Sequence, residues 1–143
     1  MALQFAVSTR DARLDAIETD IGQSAKLALY SGAMPADCAS DTTGTLLAEF
    51  DLAASGDWAA ASGGAKALAS LPLSTTGAAA GTAGYFRLFA SGQSTTPGAS
   101  TPCHLQGTVT ATGGGGDMTL DNTSIASGQT VNITSFTITD GNA

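Results

Sequence analysis

Basic residues, histidine, cysteine and tryptophan are all scarce in this chain, and each scarcity removes a class of function. Five Lys+Arg stand against twelve Asp+Glu, for a formal net charge of −7. That field repels phosphate backbones and anionic lipid. The five (Arg10, Arg13, Lys26, Lys66, Arg87) are also scattered, where a nucleic-acid reader shows a basic stripe. Neither nucleic acid nor a membrane is an expected partner. His104 is the only histidine, in Pro102-Cys103-His104, and no GxSxG elbow accompanies it. Adjacent residues on a strand point to opposite faces, so Cys103 cannot easily act with His104. One histidine and scattered aspartates do not make a transition-metal set, and Asp117 and Asp121 lack EF-hand spacing and read as turn caps. Gly77, Gly81 and Gly84 lack the Lys-Ser/Thr of a phosphate loop. No catalytic residue, cofactor or metal is expected, and the chain reads as a non-enzyme.

Cys38 and Cys103 are the only cysteines and form no CxxC pair. The reading for a reducing medium is two buried or half-buried thiols, with pairing open in an oxidising one. No apolar run approaches the about eighteen residues of a membrane span, and Met1 to Val7 has no basic leader region, so a soluble protein is expected.

What the 143 residues do contain is β-strand spacing and small side chains, with 18 glycines. Val, Ile, Thr, Phe and Tyr at period two fit a pleated, half-buried sheet. One domain is expected, with a core drawn from Leu27, Leu29, Leu46, Phe50, Leu52, Phe86, Leu88, Met118, Leu120, Val131, Ile133, Phe136 and Ile138. The fold class is mainly β: an antiparallel, jelly-roll-like β-sandwich with one short N-terminal helix.

In chain order, residues 1–8 read as an extended arm with Leu3, Phe5 and Val7 on one side, and 9–143 as a single domain. Ser8-Thr9 supplies capping hydroxyls, and Leu14, Ile17 and Ile21 recur at helical spacing up to Gly22, which predicts a helix over about 9–20. Asp11, Arg13, Asp15, Glu18 and Asp20 form its solvated face. Strands follow at Lys26–Tyr30 and Thr45–Leu52; the second places Leu46, Ala48, Phe50 and Leu52 inward and Leu47, Glu49 and Asp51 outward. In the sparse stretch 53–83, Trp58 is a candidate anchor, either packed in its own domain or at a contact. Tyr85, Arg87 and Phe89 share one face of a strand and Phe86 and Leu88 the other, as in a central strand or an interface. Residues 91–102 read as a surface loop and Gly113–Gly116 as a hairpin connection. A phase change between Ile133 and Phe136 predicts a β-bulge.

Four blocks resemble small structural proteins of tailed bacteriophages: Lys26-Leu27-Ala28-Leu29-Tyr30-Ser31-Gly32, Gly44-Thr45-Leu46-Leu47-Ala48-Glu49, Gly81-Thr82-Ala83-Gly84-Tyr85-Phe86-Arg87-Leu88, and Leu120-Asp121-Asn122 through Gly128-Gln129 to Phe136. They are strand and turn signatures and carry no functional residues across. The resemblance implies a head decoration or cement protein, made in the bacterial host cytoplasm. It would sit as a dimer or trimer on the capsid exterior of the virion, with the major capsid protein as partner. Leu3, Phe5, Val7, Trp58 and Tyr85 are the candidate interface residues. The alternative is a receptor- or carbohydrate-binding module at a tail or fibre, which expects Trp58, Tyr30 or Tyr85 exposed on a flat face. A small hydrolase using His104 stands third.

Overall fold

The computed structural model describes residues 3–52 and 57–141. Helix α1 (Val7–Ile21) precedes nine strands: β1 (Ala25–Ser31), β2 (Leu46–Leu52), β3 (Ala65–Ala67), β4 (Leu73–Thr76), β5 (Gly81–Phe89), β6 (Leu105–Ala111), β7 (Met118–Leu120), β8 (Ser124–Ile125) and β9 (Thr130–Thr139). The protein is mainly β with one N-terminal helix, as its periodicity requires.

The strands form one connected sheet in the order β2-β1-β5-β6-β7-β9-β3, with β4 also on β9 and β8 on β5. Every pairing is antiparallel except β6–β7. The sheet curls until β4 and the turn after it reach β2: the Ala78 N–H donates to Leu47 O (2.7 Å) and the Thr75 hydroxyl to Glu49 O (2.8 Å). The two layers of the sandwich are therefore opposite walls of a half-barrel. Leu27, Leu29, Phe50, Phe86, Leu88, Met118, Leu120, Ile133 and Phe136 fill its concave side.

Helix α1 begins two residues earlier than Ser8-Thr9 implies, so Val7 belongs to the helix and the arm is shorter. The cap residue is Ala6, with no side-chain cap. The Thr9 and Arg10 N–H groups donate to Ala6 O (3.0 and 3.1 Å). At the other end Gly22, at φ 71°, returns its N–H to Glu18 O and stops the helix. Both ends are tied to the sheet. Arg10 donates to Asp140 O after β9, the Ser91 N–H after β5 donates to Ile21 O, and Asp20 pairs with His104 before β6.

Strand β2 departs from simple alternation. Leu29 pairs with Ala48 but Tyr30 with Leu46, which makes Leu47 an extra residue at a bulge. Leu47 turns into the main core and Leu46 to the opposite face, reversing their predicted sides. A second bulge at Gly84 lies where Tyr30 pairs with Tyr85 and Ser31 with Ala83. The predicted bulge in β9 is present at Thr134, since Thr119 pairs with Ser135 and Leu120 with Ile133.

The glycine run is not a hairpin. Residues 112–117 double back along β6 and feed β7 parallel to it, with Val109 opposite Met118. A Cβ on Gly114 or Gly116 would come within 2.7–2.9 Å of the Thr110 side chain, so only glycine lets the connection lie flat on β6.

Candidate functional site

Three clusters collect the side chains with chemical potential. The first lies on the convex face of the sheet. Tyr30, Tyr85, Phe89, Ala28 and Cys103 form a small second core there, with Cys38 and Leu46 packed against it. The two tyrosine rings stack at a centroid distance of 5.2 Å. Their hydroxyls donate to loop carbonyls, Tyr30 to Thr95 O and Tyr85 to Thr43 O. Burial raises the Tyr30 phenol well above its ordinary value. Arg87, fully buried, donates to Asp37 O (2.9 Å), Ser40 O (2.8 Å), Thr42 Oγ1 (3.0 Å) and Gln106 Oε1 (2.8 Å). Its guanidinium organises residues 37–42 into a lid on β5. Residues 91–102, read as a surface loop, lie across the same face: Thr95 is buried and its hydroxyl donates to Glu49.

Tyr85 therefore belongs to the interior, which corrects its place among the candidate contacts. Face alternation put Tyr85, Arg87 and Phe89 together correctly, but could not say that two distant loops cover them.

The second cluster joins α1 to β3. Lys66, whose side chain is 1% exposed, places Nζ 2.8 Å from Asp15 Oδ1 and 3.0 Å from Glu18 Oε2, and donates to Ala59 O. Asp15 also accepts the Ala61 N–H and Asp11 the Gly64 N–H. Burial opposes the charge on Lys66, but the hydrogen bonds to Asp15 and Glu18 outweigh it and hold the ammonium above the usual lysine range. Asp15 is correspondingly held below its ordinary value, first by Lys66 and then by the Ala61 N–H. The arrangement is a locked ion pair and not an activated amine. The helix face predicted to be solvated is in this part a clamp. Trp58 lies beside it, 6.0 Å from Lys66 Nζ and tilted against Phe136 at 5.6 Å. It is half-buried, and its indole N–H has no hydrogen-bond partner among the described residues.

A parallel case is Lys26, which bridges Glu49 (2.9 Å) and Asp51 across β1 and β2. Hydrogen bonds to Asp51 and then Glu49 raise its pKa. His104 places Nδ1 2.8 Å from Asp20 Oδ2, on the helix rather than on Cys103. The Asp117 carboxylate caps the Thr108 N–H and hydroxyl (2.8 and 2.7 Å), and Asp121 caps the Asn122 N–H, as turn residues do. Among the described residues no group of three His, Cys, Asp or Glu stands close enough to hold a metal, and no helix is long and apolar enough to cross a membrane.

The third cluster is the arm and its surroundings. Leu3 is 73% exposed, and Phe5 and Val7 are exposed as well. Arg13 lies over the Phe5 ring at 4.8 Å and pairs with Asp140 at 3.3 Å. Next to them opens a cavity of about 270 Å³ lined by Arg13, Leu14, Ile17, Ile138, Thr139 and Asp140. A neighbour of about 180 Å³ shares Ile138 and Thr139 and lies where β7 is too short to fill the space between β6 and β9.

Nothing in the sequence marked Lys66 or Arg87 by motif. The available signal was a lone charge inside an apolar strand, Ala65-Lys66-Ala67 and Tyr85-Phe86-Arg87-Leu88-Phe89, which requires burial with partners. No family model matches this chain, and neither the curated proteins nor the solved structures give a match.

Proposed function

We propose that this chain is a non-enzymatic structural component of a tailed-bacteriophage virion that binds the outside of the capsid, as a dimer or trimer, and stabilises the shell by bridging major capsid subunits. The observation that carries the reading is the exposed apolar set Leu3, Phe5 and Val7 at the start of α1, beside the open groove lined by Leu14, Ile17 and Ile138. Three of the five large hydrophobic residues exposed among the described residues fall in this short segment, with Met34 and Leu71 the others, and such a concentration favours a contact. A curled sheet with loops hydrogen-bonded across it presents this segment. Repeated around a symmetric shell, modest contacts of this kind sum to tight attachment.

The resemblance of the four sequence blocks supports the same reading. The tail-module alternative needs an aromatic platform, whereas Tyr30 and Tyr85 are buried and Trp58 leans on Phe136.

The test is cosedimentation with expanded, undecorated capsids, using full-length protein and a version lacking residues 1–6. Saturable binding that raises the heat resistance of the shell, lost on removing residues 1–6, is the expected result. Absence of binding by the full-length protein overturns the proposal and directs a glycan screen to the Trp58 face.

A further inference from the structure

The sequence separates Cys38 from Cys103 by 65 positions, yet the fold brings them together. Cys38 lies in the lid that Arg87 organises, and Cys103 closes the loop across the same convex face. The Cys103 N–H donates to Cys38 O at 2.9 Å, and both side chains belong to the second core. A backbone hydrogen bond of this kind brings the two Cα atoms to roughly the 4.4–6.8 Å that a disulfide spans. Both thiols are free. We propose that Cys38 and Cys103 are a reversible thiol–disulfide site, which fastens the lid and the 91–103 loop to each other over Arg87 when the protein meets an oxidising disulfide.

The two thiols are unequal in access. Cys38 is half-buried, whereas Cys103 is buried and its thiol interacts with that of Cys38. Burial, with Cys38 adding to it, pushes the Cys103 thiol up to about 12. Cys38 is therefore the entry point and Cys103 the resolving thiol. With glutathione disulfide as oxidant, the Cys38 thiolate attacks one sulfur and expels the first glutathione thiolate. Cys103, after releasing its proton, then attacks Cys38 Sγ and expels the second. Two protein thiols are oxidised to one disulfide, one small disulfide is reduced to two thiols, and no other electron acceptor is needed. The link closes a long loop in the unfolded chain, which favours the folded state.

The test is incubation of the full-length protein with excess glutathione disulfide at mildly alkaline pH. Free-thiol titration, intact mass and thermal melting follow, before and after dithiothreitol. The expected result is a monomer lacking both thiols, lighter by two hydrogens, with no glutathione attached and a Tm about 10 °C higher that dithiothreitol reverses. In Cys38→Ser, Cys103 is expected to stay reduced with Tm unmoved by the oxidant. A stable glutathione adduct on Cys38 in the wild type, a disulfide-linked dimer, or two thiols still free when a urea-unfolded control has oxidised would each overturn the proposal. All three readouts use the wild-type chain, so a folding defect in the variant leaves the test intact.

Discussion

Lys66 Nζ lies 2.8 Å from Asp15 Oδ1, joining a strand residue with a buried side chain to a helix residue 51 positions earlier in the chain. Helix α1 has no side-chain N-cap and only two fully buried residues, Leu14 and Ile21. Its position is fixed by this pair together with the contacts at Gly64, Ala61 and Asp140 and, at its C-terminal end, those of Ile21 with Ser91 and Asp20 with His104.

Replacing Lys66 by alanine removes the ammonium and the buried stem and leaves two carboxylates facing each other. Because Asp15 and Glu18 are partly solvated, the expected loss is about 2–3 kcal/mol, below the full cost of breaking a wholly buried pair. Urea unfolding measures it. Hydrogen exchange should rise first in α1 and around residues 59–66, and a change of under about 0.5 kcal/mol would contradict the clamp.

Arg87→Lys keeps the charge but not the planar fork that reaches Asp37 O, Ser40 O, Thr42 and Gln106. The buried Thr42 hydroxyl and three part-buried acceptors lose donors, at a cost of about 1–3 kcal/mol. Limited proteolysis should then cut within residues 33–44 well before the strands are attacked. Uniform resistance equal to wild type would show that the lid is held by something else.

Gly84→Ala places a Cβ 2.1 Å from the Gly32 carbonyl oxygen, and the obstacle is backbone on both sides. The variant should lose about 2 kcal/mol or more, or fail to fold. Gly141→Ala meets nothing within 4 Å and serves as the neutral control. Equal melting temperatures for the two would contradict the close approach at the β1–β5 bulge.

Acid should destabilise the protein through three aspartates held below their ordinary pKa: Asp15 by Lys66 and the Ala61 N–H, Asp37 by the Ser40 hydroxyl and N–H, and Asp117 by the Thr108 N–H and hydroxyl. A depressed folded pKa gives stability that is present above the unfolded value, near pH 4, and is lost as pH falls through the folded value. Lys26 and Lys66 are raised, so their contribution is complete below about pH 10.4 and is lost only above that. The melting temperature should stay flat around neutrality and fall below about pH 4, and Asp117→Asn should make the acid slope shallower. A slope unchanged in that variant would remove Asp117 from the account.

The sequence by itself determined the local geometry. Period-two spacing located β1, β2, β5 and β9, helical spacing with Gly22 located α1 and its end, and the phase change in β9 revealed the bulge at Thr134. These are properties of neighbouring residues, set by backbone sterics and by which side chains share a face. The tertiary structure decided which faces are covered. It turned Leu47 inward at a bulge imposed by pairing with β1, made a parallel pair from the glycine run, and matched Lys66 to Asp15 and Glu18. It also buried Tyr85 and Arg87 beneath loops drawn from residues 37–43 and 91–103. A strand carries its alternation in its own residues, but what lies over it comes from segments tens of residues away, and their arrival is fixed only when the whole sheet closes.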